Sequence, residues 1–250
     1  GTVKVCLSGD GADEGFLGYR RYAWIRDFAR APVDVLPAGL REAFFGPLGL
    51  RRWALTPARR YGEVLCLSTR EETADLLGIP FADPGRLLDA IPAGAGVEAF
   101  RDFDLGTWLP DDILAKVDLS SMACGLEVRS PFMDTEVMAF ARSLPAAWMF
   151  GADGEGKAPV KAVAAGLLPP ELVHRPKQGF DLPLAAWLRV KGEGLLDRLG
   201  GPAPFFRTEA VKALQAGAAA GDDRSAIRLW AVLCFLAWAR SHEVGGILQG

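Results

Sequence analysis

Three acidic side chains lie within five residues near the start of the chain, in the stretch SGDGADE at residues 8–14. They are Asp10, Asp13 and Glu14, with Gly11 among them. Carboxylates this close repel one another unless a cation, a basic ligand or solvent offsets their charge. Mg²⁺ is the natural candidate, because it takes one or two carboxylates and completes its shell with water and phosphate oxygens. The alternative is that Asp13 and Glu14 merely complement the positive end of a helix.

A glycine-rich stretch at residues 151–158, GADGEGKA, is one residue away from a phosphate-binding P-loop. Ala158 stands where a P-loop has the Ser or Thr hydroxyl that binds Mg²⁺, and two acidic residues crowd a loop meant to cradle an anion. We therefore reject the P-loop. Lys157 remains of interest, because a cation just inside a helix start is disfavoured by the helix dipole unless an anion is nearby. The alternative is a solvated lysine in a loop.

Charges of alternating sign fill the segment from residue 112 to residue 134. Asp112, Lys116 and Asp118 precede Glu127 and Arg129. The pattern predicts an ion-pair cluster within apolar surroundings. Such a cluster either locks a fold or shapes a polar pocket, and spacing does not decide between the two.

A basic loop, RPKQGF, follows at residues 175–180. Arg175 and Lys177 lie on either side of a proline there. The loop is suited to binding a phosphate, although an ordinary basic surface loop would have the same composition.

The elements that position these residues begin with a β-prone run at residues 3–7, which leads into the acidic turn and then into helical spacing. A strand, loop and helix of this kind normally belong to a parallel sheet whose ligands bind at the carboxyl ends of the strands. A second strand is expected near residues 148–150. The remaining chain has helical period, with helices expected from Pro37, from Pro110, from Asp134 to Leu144, after Lys157, over Leu184–Leu188 and over residues 224–240.

Composition narrows the class of protein. A chain of 250 residues that is 50% hydrophobic can bury one sizeable core, and a single domain over residues 1–250 is the default. The 28 basic and 31 acidic residues nearly cancel and form no basic block, which argues against a nucleic-acid partner. The four cysteines lie far apart, which favours a reducing cytoplasm over a disulfide or zinc framework. The most apolar run, residues 229–239, is too short for a membrane span and predicts a buried core helix.

Taken together, the four stretches resemble the synthetase half of the asparagine synthetase family. Residues 8–19 are similar to the family's SGDGGDELFGGY, and residues 109–134 are similar to its LPDDxLxKxDRxSMAxxLExRxPFLD. The pair Gly156-Lys157 and the loop at 175–180 match its lysine-bearing helix start and late basic loop. The resemblance extends over about residues 3–190 and is specific as a set.

The resemblance implies a fold and a reaction. The fold is an α/β domain of the adenine nucleotide α-hydrolase-like (PP-loop) type, mostly helical here, with a remnant of parallel sheet. ATP, with Mg²⁺ as cofactor, adenylates the side-chain carboxylate of aspartate and releases pyrophosphate. Ammonia derived from glutamine then displaces AMP to give asparagine.

The resemblance also implies residue roles. Asp10 and Lys157 are expected to be catalytic: Asp10 assists the attacking ammonia, and Lys157 neutralises charge on the α-phosphate and the leaving pyrophosphate. Asp13 is the expected Mg²⁺ ligand, so Asp13 and Lys157 must lie close together. The residues implied at the ATP and pyrophosphate site are Ser8, Gly9, Gly11 and Lys177. Those implied in the substrate pocket are Asp118, Glu127 and Arg129.

Departures from the family pattern leave other readings open. The chain starts at the threshold of a strand, without an initiator methionine, a signal-peptide pattern, the family's PP-loop (SGGxDS) or its N-terminal glutaminase. We therefore expect a C-terminal portion that is inactive alone and has a glutaminase domain or subunit as partner, with a homodimer as a candidate assembly. Leu17 replaces a usual glycine, Leu119 replaces a usual arginine, and Pro159 follows Lys157 closely. An amidotransferase or cyclase acting on another carboxylate, or a catalytically inactive scaffold, are the alternatives.

Overall fold

A computed structural model of the chain describes residues 3–29, 36–37, 39–40, 43, 55–79, 91–92, 95–175, 182–192, 194–202 and 204–242. The chain divides into two units. Unit 1 comprises Gly1–Gly62 and Gly85–Pro176, and unit 2 comprises Glu63–Pro84 and Lys177–Gly250. The single family domain expected over residues 1–250 stays a prediction, and each unit is described by itself.

The described chain is mostly helical, as the sequence predicts. Two short helical elements are not α-helices: a π-helical turn at Leu109–Leu114 and a 3₁₀ turn at Pro131–Met133. In chain order the α-helices are α1 Ala12–Gly15, α2 Arg20–Ala29, α3 Pro57–Leu65, α4 Arg70–Leu77, α5 Val97–Gly106, α6 Ala115–Met122, α7 Thr135–Ser143, α8 Ala146–Met149, α9 Ala158–Ala165, α10 Pro170–Val173, α11 Leu184–Lys191, α12 Leu195–Arg198, α13 Thr208–Ala219 and α14 Asp223–Ser241. The helix expected from Pro37 falls largely outside the described residues.

Unit 1 contains a parallel pair of strands, β1 (Val5–Leu7) and β2 (Glu127–Arg129). Leu7 lies opposite Arg129 in the register. The Ser8 amide donates to the Arg129 carbonyl at 2.9 Å, so the pairing continues to the first residue of the acidic turn. The expected strand, turn and helix are therefore confirmed, and the turn leaves the carboxyl end of β1.

The second strand predicted near residues 148–150 is wrong. That segment lies mostly in α8, where the Trp148 amide donates to the Pro145 carbonyl at 2.9 Å. Proline suits the start of a helical turn, and this local geometry prevails over the β-propensity of the aromatic residues. The second strand is β2 instead.

Helix boundaries follow capping chemistry. The Asp134 carboxylate accepts hydrogen bonds from the amides of Glu136 at 2.8 Å and Val137 at 3.3 Å, which confirms it as the N-cap of α7. α7 ends before Pro145 as predicted. Pro159 lies in the first turn of α9, where its missing amide proton removes no helical hydrogen bond.

Unit 2 is built around α14, which packs against α11 and α13. Its buried core includes Val211, Leu214 and Leu233. The core helix predicted at residues 229–239 is confirmed for one face only, because Trp230 and Trp238 on the other face are 42% and 49% exposed. None of the described helices combines the length and the apolar character that crossing a membrane requires.

Candidate functional site

The acidic turn of unit 1 depends on Gly11. Its φ of +85° lies in the left-handed region that L side chains rarely adopt, and a Cβ there would lie 2.5 Å from the Met133 sulfur. At Gly9, in contrast, a Cβ would meet no atom within 4 Å. Gly11 is thus required by the turn itself, whereas the backbone at Gly9 is open to a ligand.

Asp10 is held within the turn by two hydroxyl groups. The Ser8 hydroxyl donates to Asp10 Oδ2 at 2.7 Å, and the Ser130 hydroxyl donates to the Asp10 carbonyl oxygen. Ser130 directly follows β2, so it links the ends of both strands. Two of the predicted site residues, Ser8 and Asp10, are therefore in direct contact.

Asp13 and Lys157 come together as an ion pair. Lys157 Nζ lies 2.9 Å from Asp13 Oδ1, and the two side chains are 29% and 25% exposed respectively. The proximity expected from the resemblance is confirmed, while the roles of the two residues remain to be tested. Because both groups are partly open to solvent, a ligand can reach them, and the pair itself contributes little to stability.

The backbone around Lys157 is docked onto the segment after α1. Lys157 is the N-cap of α9 and has a φ of +63°, and its amide donates to the Phe16 carbonyl at 3.0 Å. A Cβ on Gly156 would lie 1.8 Å from the Leu17 carbonyl oxygen. The prediction that Lys157 lies just inside the helix start is wrong. Lys157 lies just before the helix, because this docking fixes a conformation that a helix interior does not allow.

Gly18 is a site residue that the sequence alone did not single out. A Cβ there would lie 2.1 Å from Asp13 Oδ1 and 2.8 Å from Lys157 Cδ. Any side chain at this position would therefore force the ion pair apart. The signal was present in the sequence, because Gly18 belongs to the family-like stretch at residues 8–19.

Leu17 occupies the position where the family usually has glycine, and it keeps a glycine-like backbone. Its φ is +54° and its side chain is fully buried. A left-handed conformation costs an L residue roughly 1–2 kcal/mol, whereas burial of a leucine contributes roughly 1.5–3 kcal/mol. The buried side chain thus offsets the strain, and the turn that faces Lys157 is retained.

A second basic residue neutralises the loop before Lys157. Lys161 Nζ lies 2.8 Å from Glu155 Oε2. On the other side of the loop, the Arg26 guanidinium lies 4.2 Å from the centre of the Phe150 ring and donates to the Gly154 carbonyl at 3.4 Å. Cationic side chains of the protein thus contact the acidic loop from both sides, which agrees with the rejection of a P-loop.

The ion-pair cluster predicted around Asp118 is not formed. Glu127 and Arg129 pair at 2.7 Å, with side chains 52% and 66% exposed. In the part of the chain that the structure describes, no ion pair joins Lys116 or Asp118 to another residue, and α6 has no buried residue. The prediction of apolar surroundings is wrong, because these side chains face solvent. The exposed pair contributes little to stability, so any role in a pocket stays a prediction.

Lys177, the remaining predicted pyrophosphate contact, lies outside the described residues. Nearly all of the basic loop at 175–180 lies there with it.

The donor set at Asp13 fits a metal that arrives with phosphate. Among the described residues, no group of three His, Cys, Asp or Glu side chains could hold a metal ion. Asp13 offers one carboxylate with a cation beside it. Mg²⁺ commonly binds through one or two carboxylates plus substrate phosphates, so a single partly exposed carboxylate next to a lysine suits a metal–polyphosphate complex.

Comparison with known proteins gives one consistent match. Residues 1–240 match the family model described as asparagine synthase. A Mycobacterium tuberculosis (strain H37Rv) protein, provisionally named asparagine synthetase (glutamine-hydrolyzing), is 34% identical, with 94% of this chain and 39% of that protein covered. Asparagine synthetase (glutamine-hydrolyzing) 1 of Bacillus subtilis (strain 168) is 27% identical, with 94% and 40% covered. The chain thus spans about two fifths of the length of these relatives. No solved structure matches it.

Proposed function

Because the chain belongs to the asparagine synthase family, we propose that it is the synthetase portion of an ATP-dependent ligase that converts aspartate to asparagine. The reaction passes through β-aspartyl-AMP, and glutamine supplies the ammonia. The observation that carries the proposal is the Asp13–Lys157 ion pair beside the carboxyl end of β1. Ligands of open parallel sheets bind at that end.

The ion pair suits the pyrophosphate-forming step. Mg²⁺ bound with the phosphates would supply positive charge that the leaving pyrophosphate needs. Asp13 would hold that ion, and Lys157 would place its ammonium group against the phosphate oxygens. When this complex binds, Asp13 would pair with the metal ion and Lys157 with the phosphate oxygens. Neither charged side chain would then be left unpaired. Preorganised charges of this kind are the main source of catalysis in phosphoryl and nucleotidyl transfer.

Asp10 suits the amide-forming step. The ammonia nitrogen attacks the β-carbonyl carbon, the bond from that carbon to the AMP oxygen breaks, and a proton leaves the nitrogen. The Asp10 carboxylate, oriented by the Ser8 hydroxyl at 2.7 Å, would accept that proton. Ser8, Gly9 and Gly11 would line the nucleotide site through the turn, and Lys177 would add a phosphate contact.

The fold and the partners are part of the same proposal. The parallel pairing of β1 with β2 supports a PP-loop-type domain. A glutaminase domain or subunit would supply ammonia in the cytoplasm, and a homodimer is the candidate assembly. Asp118, Glu127 and Arg129 would organise the aspartate pocket from the exposed segments on which they lie.

One other function has a specific observation in its favour. Leu119 is 73% exposed where the family usually has arginine, which favours an amidotransferase or cyclase with another carboxylate substrate. A catalytically inactive scaffold is the remaining alternative. Testing several carboxylates for stimulation of pyrophosphate release separates these functions from asparagine synthesis.

We expect Asp10→Asn to separate the two steps. In the complete gene product, aspartate-dependent exchange of pyrophosphate with ATP should stay within about tenfold of wild type, whereas asparagine formation should fall about 10²- to 10⁴-fold with loss of the base. The exposed Asp197→Asn in unit 2 is the matched control and should change neither rate. The proposed function is rejected if neither aspartate nor another carboxylate stimulates pyrophosphate release by the wild type.

A further inference from the structure

A buried carboxylate lies directly beside Asp13 and has no part in the reaction described above. Glu14 is 2% exposed, whereas the Asp13 side chain is 25% exposed and faces Lys157. Both residues belong to α1, which is four residues long and has no side-chain cap. A single helical turn is not stable alone, because nucleation of a helix is costly. The direction in which Asp13 points therefore depends on what holds the rest of α1.

Tyr19 provides that restraint. Its hydroxyl donates to Glu14 Oε1 at 2.6 Å. Burial, and then the hydrogen bond and charge of Glu14, raise the pKa of Tyr19 well above its usual value, so the hydroxyl keeps its proton and remains a donor. A hydrogen bond to a buried charged group is among the stronger ones in proteins.

Arg21 connects Tyr19 to the core of unit 1. Its guanidinium lies 3.9 Å from the centre of the Tyr19 ring, and its Nη2 lies 2.8 Å from Asp104 Oδ2. Asp104 is fully buried on α5 and also accepts a hydrogen bond from the Tyr22 hydroxyl at 2.5 Å. α5 contacts both α1 and α2. A continuous series of contacts therefore runs from a buried ion pair to the turn that carries Asp13.

We propose that Glu14 and Tyr19 are positioning residues that fix α1 so that the Asp13 carboxylate meets Lys157. The inference rests on the proposed function, because it names the residues that hold the pyrophosphate site in place. The structural claim can be tested without that function: the hydrogen bond at Glu14 controls the ion pair one residue away. We assign neither residue a contact with the reacting atoms.

Two tyrosines give a matched pair for the test. Tyr19→Phe removes the hydroxyl that reaches Glu14, and Tyr22→Phe removes one that reaches Asp104. The readout is the rate at which trace acetic anhydride acylates Lys157 in the purified chain at fixed pH, measured by mass spectrometry relative to Lys161. A lysine amine released from its ion pair reacts faster. Asp13→Asn defines the fully released rate.

Tyr19→Phe should raise Lys157 acylation by up to about fivefold, the most that release of a partly exposed ion pair allows. Tyr22→Phe should leave the rate unchanged, because Arg21 still pairs with Asp104, even if this variant lowers the melting temperature as much as Tyr19→Phe does. Glu14→Gln keeps an acceptor oxygen without the charge and should give an intermediate rise, so it serves as the second variant if Tyr19→Phe does not fold.

The inference is overturned if Asp13→Asn accelerates Lys157 acylation while Tyr19→Phe and Glu14→Gln leave it at the wild-type rate. It is also overturned if Tyr22→Phe accelerates it as much as Tyr19→Phe does, because the effect would then be general loosening. No nucleotide enters this assay, so failure of the proposed function, seen as absence of carboxylate-dependent pyrophosphate release, is distinguishable from either result.

Discussion

Gly156→Ala should lower the free energy of unfolding by about 3–5 kcal/mol, among the largest effects expected for one methyl group. The added Cβ would lie 1.8 Å from the Leu17 carbonyl oxygen, 2.6 Å from the Leu17 carbonyl carbon and 3.0 Å from Gly18 Cα. All three are backbone atoms, so no side-chain rotation can relieve the overlap. The segment that carries Lys157 must move away from the turn, and urea denaturation followed by circular dichroism measures the cost.

Gly166→Ala is the matched control for this prediction. It makes the same chemical change at the other end of α9, where a Cβ would lie 3.6 Å from the Val163 carbonyl oxygen, an ordinary contact. Its stability should stay within about 0.5 kcal/mol of wild type, as is usual for substitutions away from special features. Equal stability of the two alanine variants would show that residues 156–157 do not dock onto Leu17.

Lys157→Met should reduce pyrophosphate-forming activity of the complete gene product about 10²- to 10³-fold, as removal of one preorganised charge stabiliser does in other active sites. Methionine keeps the length of the side chain but removes the charge. Stability should change by less than about 1 kcal/mol, because the ion pair is partly exposed. Steady-state pyrophosphate release with aspartate, ATP and Mg²⁺ is the measurement.

The control for the lysine prediction is Lys161→Met. Lys161 lies one turn further along α9 and pairs with Glu155, so its loss should reduce activity only a few-fold. Similar losses in the two variants would mean that Lys157 acts through the loop and not on the phosphates.

The sequence predicted the features that local chemistry determines. The β-prone run at residues 3–7, the acidic turn and the Asp134 cap all follow from residue types within a few positions. The closeness of Asp13 and Lys157 came from the family resemblance, since no local rule relates residues so far apart. The family resemblance therefore predicted more of the site than local sequence rules did.

Features that depend on long-range contacts were missed. β2 has only three residues, two of them charged, and is a strand because β1 lies beside it. Lys157 has a left-handed backbone because its amide reaches the Phe16 carbonyl. The spacing of Asp10, Asp13 and Glu14 predicted mutual repulsion, but it could not show that the three carboxylates turn toward a serine, a lysine and a tyrosine respectively.

Calorimetric titration with Mg²⁺–pyrophosphate tests the central claim most directly, because this ligand contains only the groups assigned to Asp13 and Lys157. In the complete gene product, the wild type should bind it, and Asp13→Asn and Lys157→Met should each weaken binding at least about tenfold, or about 1.4 kcal/mol. Lys161→Met should bind like the wild type. Wild-type affinity in both Asp13→Asn and Lys157→Met would contradict the claim that the two residues share one magnesium-bound pyrophosphate.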